Sequence, residues 1–265
     1  MSVLGRRLRF VNAIGGVYVV IYALFTLLPV YWALLLTLGS PTLPVRWGSF
    51  VPRDLTLHGY AFLRTSEGWL GFRNSLVVAS ATTAASLAIG LPAAFAIVRS
   101  RRGACPVLLG ALALRLLPPV AIMLPAFLLA HDVHLRDTLA GLIVAYTVFS
   151  LPFTIWLGYG FFRQIPPELQ DAALVDGCTN LQAFRLVSLP LAVPAVLAAG
   201  AVAFVFAWTE FFIAFIFFLR HAVTLPLEIG SAQSQAAPPF QLALLGLLPS
   251  LVAGLVLQRA FRRRA

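Results

Sequence analysis

The sequence predicts an all-α, polytopic membrane protein with six transmembrane helices and both termini in the cytoplasm. A short helical elbow is expected in the cytoplasm between the fourth and fifth helices. Three observations carry this expectation. Of the 265 residues, 60% are hydrophobic and 11% charged, whereas soluble domains average about 25% charged. Long uncharged runs recur along the chain. The arginines divide unequally between the segments that join those runs.

A spanning helix needs about 20 mostly apolar residues. The first run gives a helix over 13–38, too long for a secretory h-region of about 7–15 residues, and is read as a retained helix. The second covers 74–98. The third, 104–130, is interrupted only by Arg115. The fourth is 138–162. The fifth, 190–218, is interrupted only by Glu210, and the sixth is 239–258. Extended backbone is no rival, because each unpaired amide in hydrocarbon costs several kcal/mol. All six belong to one transmembrane domain spanning 1–265.

Orientation follows from the positive charges. With a cytoplasmic N-terminus, the inner segments hold twelve arginines and three acids, and the outer segments six arginines and five acids. All 19 basic residues are arginine. A phosphate-binding loop of the P-loop type needs a lysine on the β- and γ-phosphates, so any ATP and Mg used by this protein are expected on a partner subunit. The net charge of +10 sorts to one membrane face, which argues for lipid and against nucleic acid as its counterpart. Cys105 and Cys178 are expected to remain thiols in the cytoplasm, and no His/Cys spacing fits a metal site.

The loop 163–189 is the polar exception. Pro166-Pro167 stops one helix and starts another, with Glu168 at the positive end of the new one. Leu169, Ala172 and Ala173 fall at i, i+3 and i+4, on a common face that a partner could approach closely. Asp176-Gly177 ends this helix. Thr179 or Asn180 can cap a second helix, which carries Phe184 and runs to Pro190. A helix–Gly–helix of this kind suits a groove on another protein. The alternative is an amphipathic loop on headgroups, but such loops favour Lys and Arg, and acids facing anionic lipid are unfavourable.

The motif DAALVDG, followed by Phe184 and Pro190, resembles the E-A-A-x-x-D-G…F…P loop in permease subunits of binding-protein-dependent ATP-driven (ABC) importers. Asp171 stands at the family's Glu, Ala172 and Ala173 at its alanines, and Gly177 at its Gly. Asp for Glu shortens the side chain by one methylene. LLPVYWALLLTL, RNSLVVA, RLLPPVAIMLPAFLLA and LRDTLAGLIVAY resemble helices of the carbohydrate branch, of the maltose-type second permease. FAWTEFFIAF resembles its W-N-E-F segment, with Thr209 for Asn. The resemblance implies a multi-pass bacterial inner-membrane subunit. Glu168, Asp171, Ala172, Ala173, Asp176, Gly177 and Phe184 would form the elbow that couples it to an ATPase dimer. The other implied partners are a second homologous permease, an extracytoplasmic sugar-binding protein and the sugar itself.

Ionisable groups at a helix centre cost about 2.5–3.5 kcal/mol on insertion scales and face a protein interior or a water-filled path. Glu210, with Trp208 and Phe204 nearby, is a candidate sugar contact, since a carboxylate accepts hydroxyl bonds while rings cover C–H faces. Phe204, Trp208 and Phe212 are expected to share one helical stripe. The alternative reading makes Glu210 a structural contact to the partner permease and the aromatics lipid-facing bulk. Arg115 can pair with Glu210, bond carbonyls freed by Pro118-Pro119, or touch substrate. A rival function is a secondary transporter of a small polar solute that works alone; a membrane enzyme is disfavoured because so few charged groups lie at membrane depth.

The topology is checked with single cysteines in a background lacking Cys105 and Cys178. Gly177→Cys should be shielded from an impermeant thiol reagent in intact cells, and His134→Cys should react. The opposite pattern would invert the orientation.

Overall fold

The computed structural model describes residues 3–38, 66–100, 104–116, 118–217 and 222–230, with scattered positions between 247 and 258. The described residues are helical. In order, the helices are α1 (Val3–Leu38), α2 (Ser66–Ser100), α3 (Ala104–Leu116), α4 (Pro119–Asp132), α5 (Leu139–Phe162), α6 (Pro167–Val175), α7 (Asn180–Ala183), α8 (Leu189–Leu191), α9 (Val193–Thr209), α10 (Phe212–Phe217) and α11 (Leu225–Gly230). A π-helical turn, Phe184–Ser188, links α7 to α8.

Two described helices are long and apolar enough to cross a membrane: Gly68–Ser100 of α2, and α5. A third crossing is counted if Asn180–Leu191 and Val193–Thr209, bent by 82°, form one span. The expected sixth helix, 239–258, lies mostly outside the described residues. α1 is helical throughout, and its described side chains from Gly15 to Tyr31 are nearly all exposed within this chain.

Several expected boundaries move for identifiable reasons. The second helix begins eight residues earlier than 74. At about 1.5 Å per residue it is longer than the roughly 30 Å hydrocarbon layer. The third run is two helices, because Pro118-Pro119 removes backbone donors and pushes the preceding residue out of the α region. Pro118 precedes α4, and Pro119 fills the tolerated first position. The fourth helix matches closely. Thr138 caps α5 by accepting from the Gly141 N–H at 3.0 Å.

The fifth helix is not continuous over 190–218. α9 stops at Thr209, Glu210 is extended (φ −73°, ψ 122°), and α10 starts at Phe212. Near the break, the Thr209 hydroxyl donates to the Val205 carbonyl at 2.8 Å, a contact that tends to bend helices.

α2, α5 and α9 form the centre. Helices in lipid gain little from burying apolar surface, so close approach of small residues and hydroxyl bonds must hold them. Both devices occur here. A Cβ on Gly90 would lie 2.7 Å from Thr154 Cγ2, and one on Gly158 would lie 2.9 Å from Ala94 Cβ. Ser86 and Ser150 share a buried hydrogen bond, and Ser150 also donates to the Thr147 carbonyl at 3.1 Å.

This polar contact separates two apolar clusters. One gathers Val78, Met123, Leu142, Tyr146, Trp208 and Leu225. The other gathers Leu91, Phe95, Phe162, Phe184 and Ala195 at the elbow end.

Overpacking a tight core typically costs about 1–3 kcal/mol. Gly158→Leu should therefore lower the thermal midpoint of the purified protein, and Gly160→Leu, where no heavy atom lies within 4 Å of an added Cβ, should not. Equal midpoints would refute the close α2–α5 contact.

Candidate functional site

The elbow is built by local rules. α6 starts at Pro167 with Glu168 in its first turn. It closes with two backbone bonds: Cys178 N–H to the Ala173 carbonyl at 2.9 Å, and Gly177 N–H to the Leu174 carbonyl at 3.1 Å. This Schellman closure needs a left-handed residue past the helix end, and Gly177 supplies it at φ +88°. The chain restarts at once. The Thr179 hydroxyl accepts from the Gln182 N–H at 3.3 Å, and the Gln182 side chain accepts from the Thr179 N–H at 2.7 Å. That is a reciprocal capping box.

The π-helical turn follows, ending where the Leu189 N–H reaches the Phe184 carbonyl. Pro190 has no N–H to continue an α-helical ladder.

The elbow's predicted residues divide between two faces. Glu168, Asp171, Ala172, Asp176 and Gly177 are exposed. Ala173 and Phe184 instead face inward. Ala173 shares the inner side of α6 with Gln170, which is 3% exposed, so the expected Leu169–Ala172–Ala173 surface is split. Leu169, Ala172 and Val175, the last 87% exposed, remain on the open side. Phe184 is 6% exposed. Its ring centroid lies 5.1 Å from Phe95 of α2 and 5.9 Å from Phe162 of α5. It joins the elbow to both central helices.

Two residues that sequence reasoning did not single out act beside it. The Arg99 guanidinium, at the end of α2, donates to Gln170 Oε1 at 3.2 Å and to Asp171 Oδ1 at 3.3 Å. Gln170 shares the buried face with Ala173, but only the position of α2 and α5 decides which face that is. Arg99 carried no local signal.

Near the opposite end of the central helices lies the helix break. Glu210 Oε1 accepts from the Ile213 N–H at 3.2 Å, and the Glu210 carbonyl accepts from the Tyr146 hydroxyl at 3.2 Å. The carboxylate thus serves a free donor in the first turn of α10, of the kind every helix start exposes. In a continuous helix that N–H would be committed to the Thr209 carbonyl.

The expected aromatic stripe is interrupted at this point. Phe204 and Trp208 stack at 5.9 Å, and Phe72 meets Trp208 edge-on at 5.7 Å. Trp208 is 1% exposed, whereas Phe212 is 59% exposed and packs edge-on against Phe211 at 5.7 Å. Arg115 falls in α3, but its side chain lies outside the described residues. Glu210 itself is half-buried. Tyr146, which orients the break, carried no signal in the sequence. Among the described residues, no group of three or more His, Cys, Asp or Glu side chains could hold a metal ion.

A helical membrane subunit whose central helices are tied to a polar, acid-bearing elbow is of the transport-permease type. Residues 86–265 match the model of the family described as the binding-protein-dependent transport system inner membrane component, and the chain belongs to that family. It is 33% identical over 245 residues to the trehalose transport system permease protein SugB of Mycobacterium tuberculosis, covering 91% of this chain and 89% of that one. It is 32% identical to the sulfoquinovosyl glycerol transport system permease protein SmoH of Agrobacterium fabrum, with 98% and 90% covered. With the trehalose/maltose permease MalG of Thermococcus litoralis the identity is 28%, with 85% and 81% covered. In fold it is similar to a chain of a bacterial ABC transporter involved in alginate import, with a TM-score of 0.79, 98% of both chains covered and 22% identity.

Phe→Ala in a core costs about 3–5 kcal/mol. Phe184→Ala should therefore expose the elbow to limited proteolysis near Gly177 while Ala172→Ser leaves the digest unchanged. An unaltered digest of the Phe184 variant would show that the ring does not fasten the elbow.

Proposed function

We propose that this chain is the permease subunit of an ATP-driven, binding-protein-dependent sugar importer in a bacterial inner membrane. It forms half of the translocation path, and a second homologous permease forms the other half. The observation that carries this reading is the elbow: a rigid, capped helix pair anchored by Phe184, with Glu168, Asp171, Ala172 and Asp176 presented outward. The relatives named for trehalose, sulfoquinovosyl glycerol and maltose support sugar as the cargo class.

In the proposed cycle the open side of α6 docks on a cytoplasmic ATPase dimer, which holds ATP and Mg. An extracytoplasmic binding protein delivers the sugar. Closure of the ATPase dimer displaces α6, and the Phe95–Phe162–Phe184 contact passes the displacement to α2 and α5. The membrane helices then exchange one packed arrangement for another, as alternating access requires. Gly177 ends the docking helix, while Ala173 and Phe184 anchor it instead of meeting the partner. No bond in the sugar is broken.

Glu210 is proposed to face the sugar path. The break leaves its second carboxylate oxygen for a hydroxyl donor, and the Trp208–Phe204 stack in the adjoining core is proposed to support that path. Arg115 remains a proposed counter-charge on the same path. A carboxylate oxygen presented at the bend suits a polyhydroxyl cargo, which brings many donors.

Two experiments test this reading. The complex reconstituted in vesicles should import sugar only when the ATPase and binding protein are present. Uptake by this chain alone would favour the solitary secondary transporter. Within the active complex, Glu210→Gln keeps an acceptor for Ile213 and should retain most uptake, whereas Glu210→Ala should lose about tenfold, the scale of one buried hydrogen bond left unmade. Unchanged uptake in Glu210→Ala would remove Glu210 from the path.

A further inference from the structure

The end of the bundle opposite the elbow holds a second built feature. Residues 222–225 lie across the start of α2, and three side chains fasten them there. Asn74 Nδ2 donates to the Val223 carbonyl at 3.0 Å. Ser75 Oγ accepts from the Leu225 N–H at 2.8 Å. Asp137 Oδ1 accepts from the Ala222 N–H at 3.1 Å. The Asp137 N–H also donates to the carbonyl of Phe217, the last residue of α10, at 3.2 Å.

These anchors come from two separate elements, α2 and the corner between α4 and α5. Asn74 and Ser75 are buried, as are Ala222, Thr224, Leu225 and Leu227. Backbone groups buried in this way must find partners, and here side chains supply them in place of secondary structure. Asp137 stands at φ +57°, a left-handed conformation that Asp and Asn tolerate better than most residues.

α10 is therefore held at both ends. Glu210 serves its first turn, and Asp137 takes its last carbonyl. A helix of six residues has little stability of its own, so its position is set by these outside bonds together with the core packing of Ile213, Ala214 and Phe217.

We propose that Asn74, Ser75 and Asp137 are positioning residues for transport: Asn74 and Ser75 fasten residues 222–225 to α2, and Asp137 joins both Ala222 and Phe217, the end of α10, to the corner before α5, so that these ends and the Glu210 bend move as one body. The inference rests on the importer reading for its role in transport, though not for the mechanical coupling itself. Asn74 and Ser75 hold the segment from the α2 side, Asp137 holds it from the α5 side, and release of either side frees α10 to shift against the helices that carry the elbow's motion.

Two measurements on the reconstituted complex test this, using paired variants. Ser75→Ala and Asp137→Gly remove an acceptor, and glycine relieves the φ requirement. Ser75→Thr and Asp137→Asn preserve the acceptor.

Hydrogen exchange is read first. The removal variants should speed amide exchange about tenfold in 222–225 and also in 212–217, the scale expected for one lost buried bond. The conservative variants should match the wild type. Faster exchange confined to 222–225 would overturn the coupling.

The second reading is sugar imported per ATP hydrolysed. It should fall several-fold in the removal variants and recover in the conservative ones. A merely structural role would reduce assembled complex, uptake and hydrolysis together and leave the ratio unchanged, which would refute the positioning role. Should the wild-type complex import no sugar, the importer reading fails, and the exchange data still decide whether the latch and α10 are coupled.

Discussion

Three phenylalanine rings hold this molecule's two working parts together. Phe95, Phe162 and Phe184 come from α2, α5 and the turn after α7, and each ring touches the other two. Aromatic pairs at such separations add roughly 0.5–1.5 kcal/mol beyond the burial of their area. Their larger effect is geometric. Without a shared core, the polar elbow would be a tethered loop free to rotate on Pro166 and Ala192. With it, the inner face of α6 has a fixed address, and Gln170 can be buried because Arg99 reaches it. The exposed acids and small residues then keep a constant orientation toward whatever they meet.

Backbone interruptions shape the rest. Prolines divide the third apolar run, and an ionisable residue divides the fifth. In lipid a broken helix is tolerated only where other groups satisfy its free donors and acceptors. The Glu210 break meets that requirement from within, through its own carboxylate and through Tyr146. This explains how a charged residue survives in a segment otherwise rich in phenylalanine and alanine. The same rule governs residues 222–225, where Asn74 donates to the Val223 carbonyl while Asp137 and Ser75 accept from the Ala222 and Leu225 N–H groups.

Local chemistry was legible in the sequence to the extent that it was backbone chemistry. Pro167 at a helix start, Gly177 past a helix end and Thr179 as a cap all act within four residues, and each stands where spacing placed it. α5 was equally clear, since a threonine cap and an unbroken apolar run agree. What spacing could not reveal was which side of a short helix faces inward. Ala172 and Ala173 are chemically identical neighbours, and only the position of α2 and α5 decides that one is covered. The stripe through Phe204, Trp208 and Phe212 failed for a related reason. A period of four assumes a continuous helix, and the side-chain bond from Glu210 to Ile213 ends that assumption. Tyr146 and Arg99 act across 64 and 71 residues of chain, a distance no local pattern reports.

The 82° bend at Ala192 has a mechanical consequence. Two rigid arms meeting near a right angle behave as a bell crank. A push on the lower arm, perpendicular to it and in the plane of the two arms, turns the pair about Ala192 and reaches α9 as a sideways tilt, with little thrust along its axis. Tilt grows with distance from the pivot, so the largest excursion falls at the far tip of α9. That tip is Thr209, directly before the bend at which the chain changes direction, and the smallest excursion falls beside the phenylalanine cluster. In the proposed cycle the molecule would thus stay stiff beside the elbow and still be displaced near the Glu210 bend.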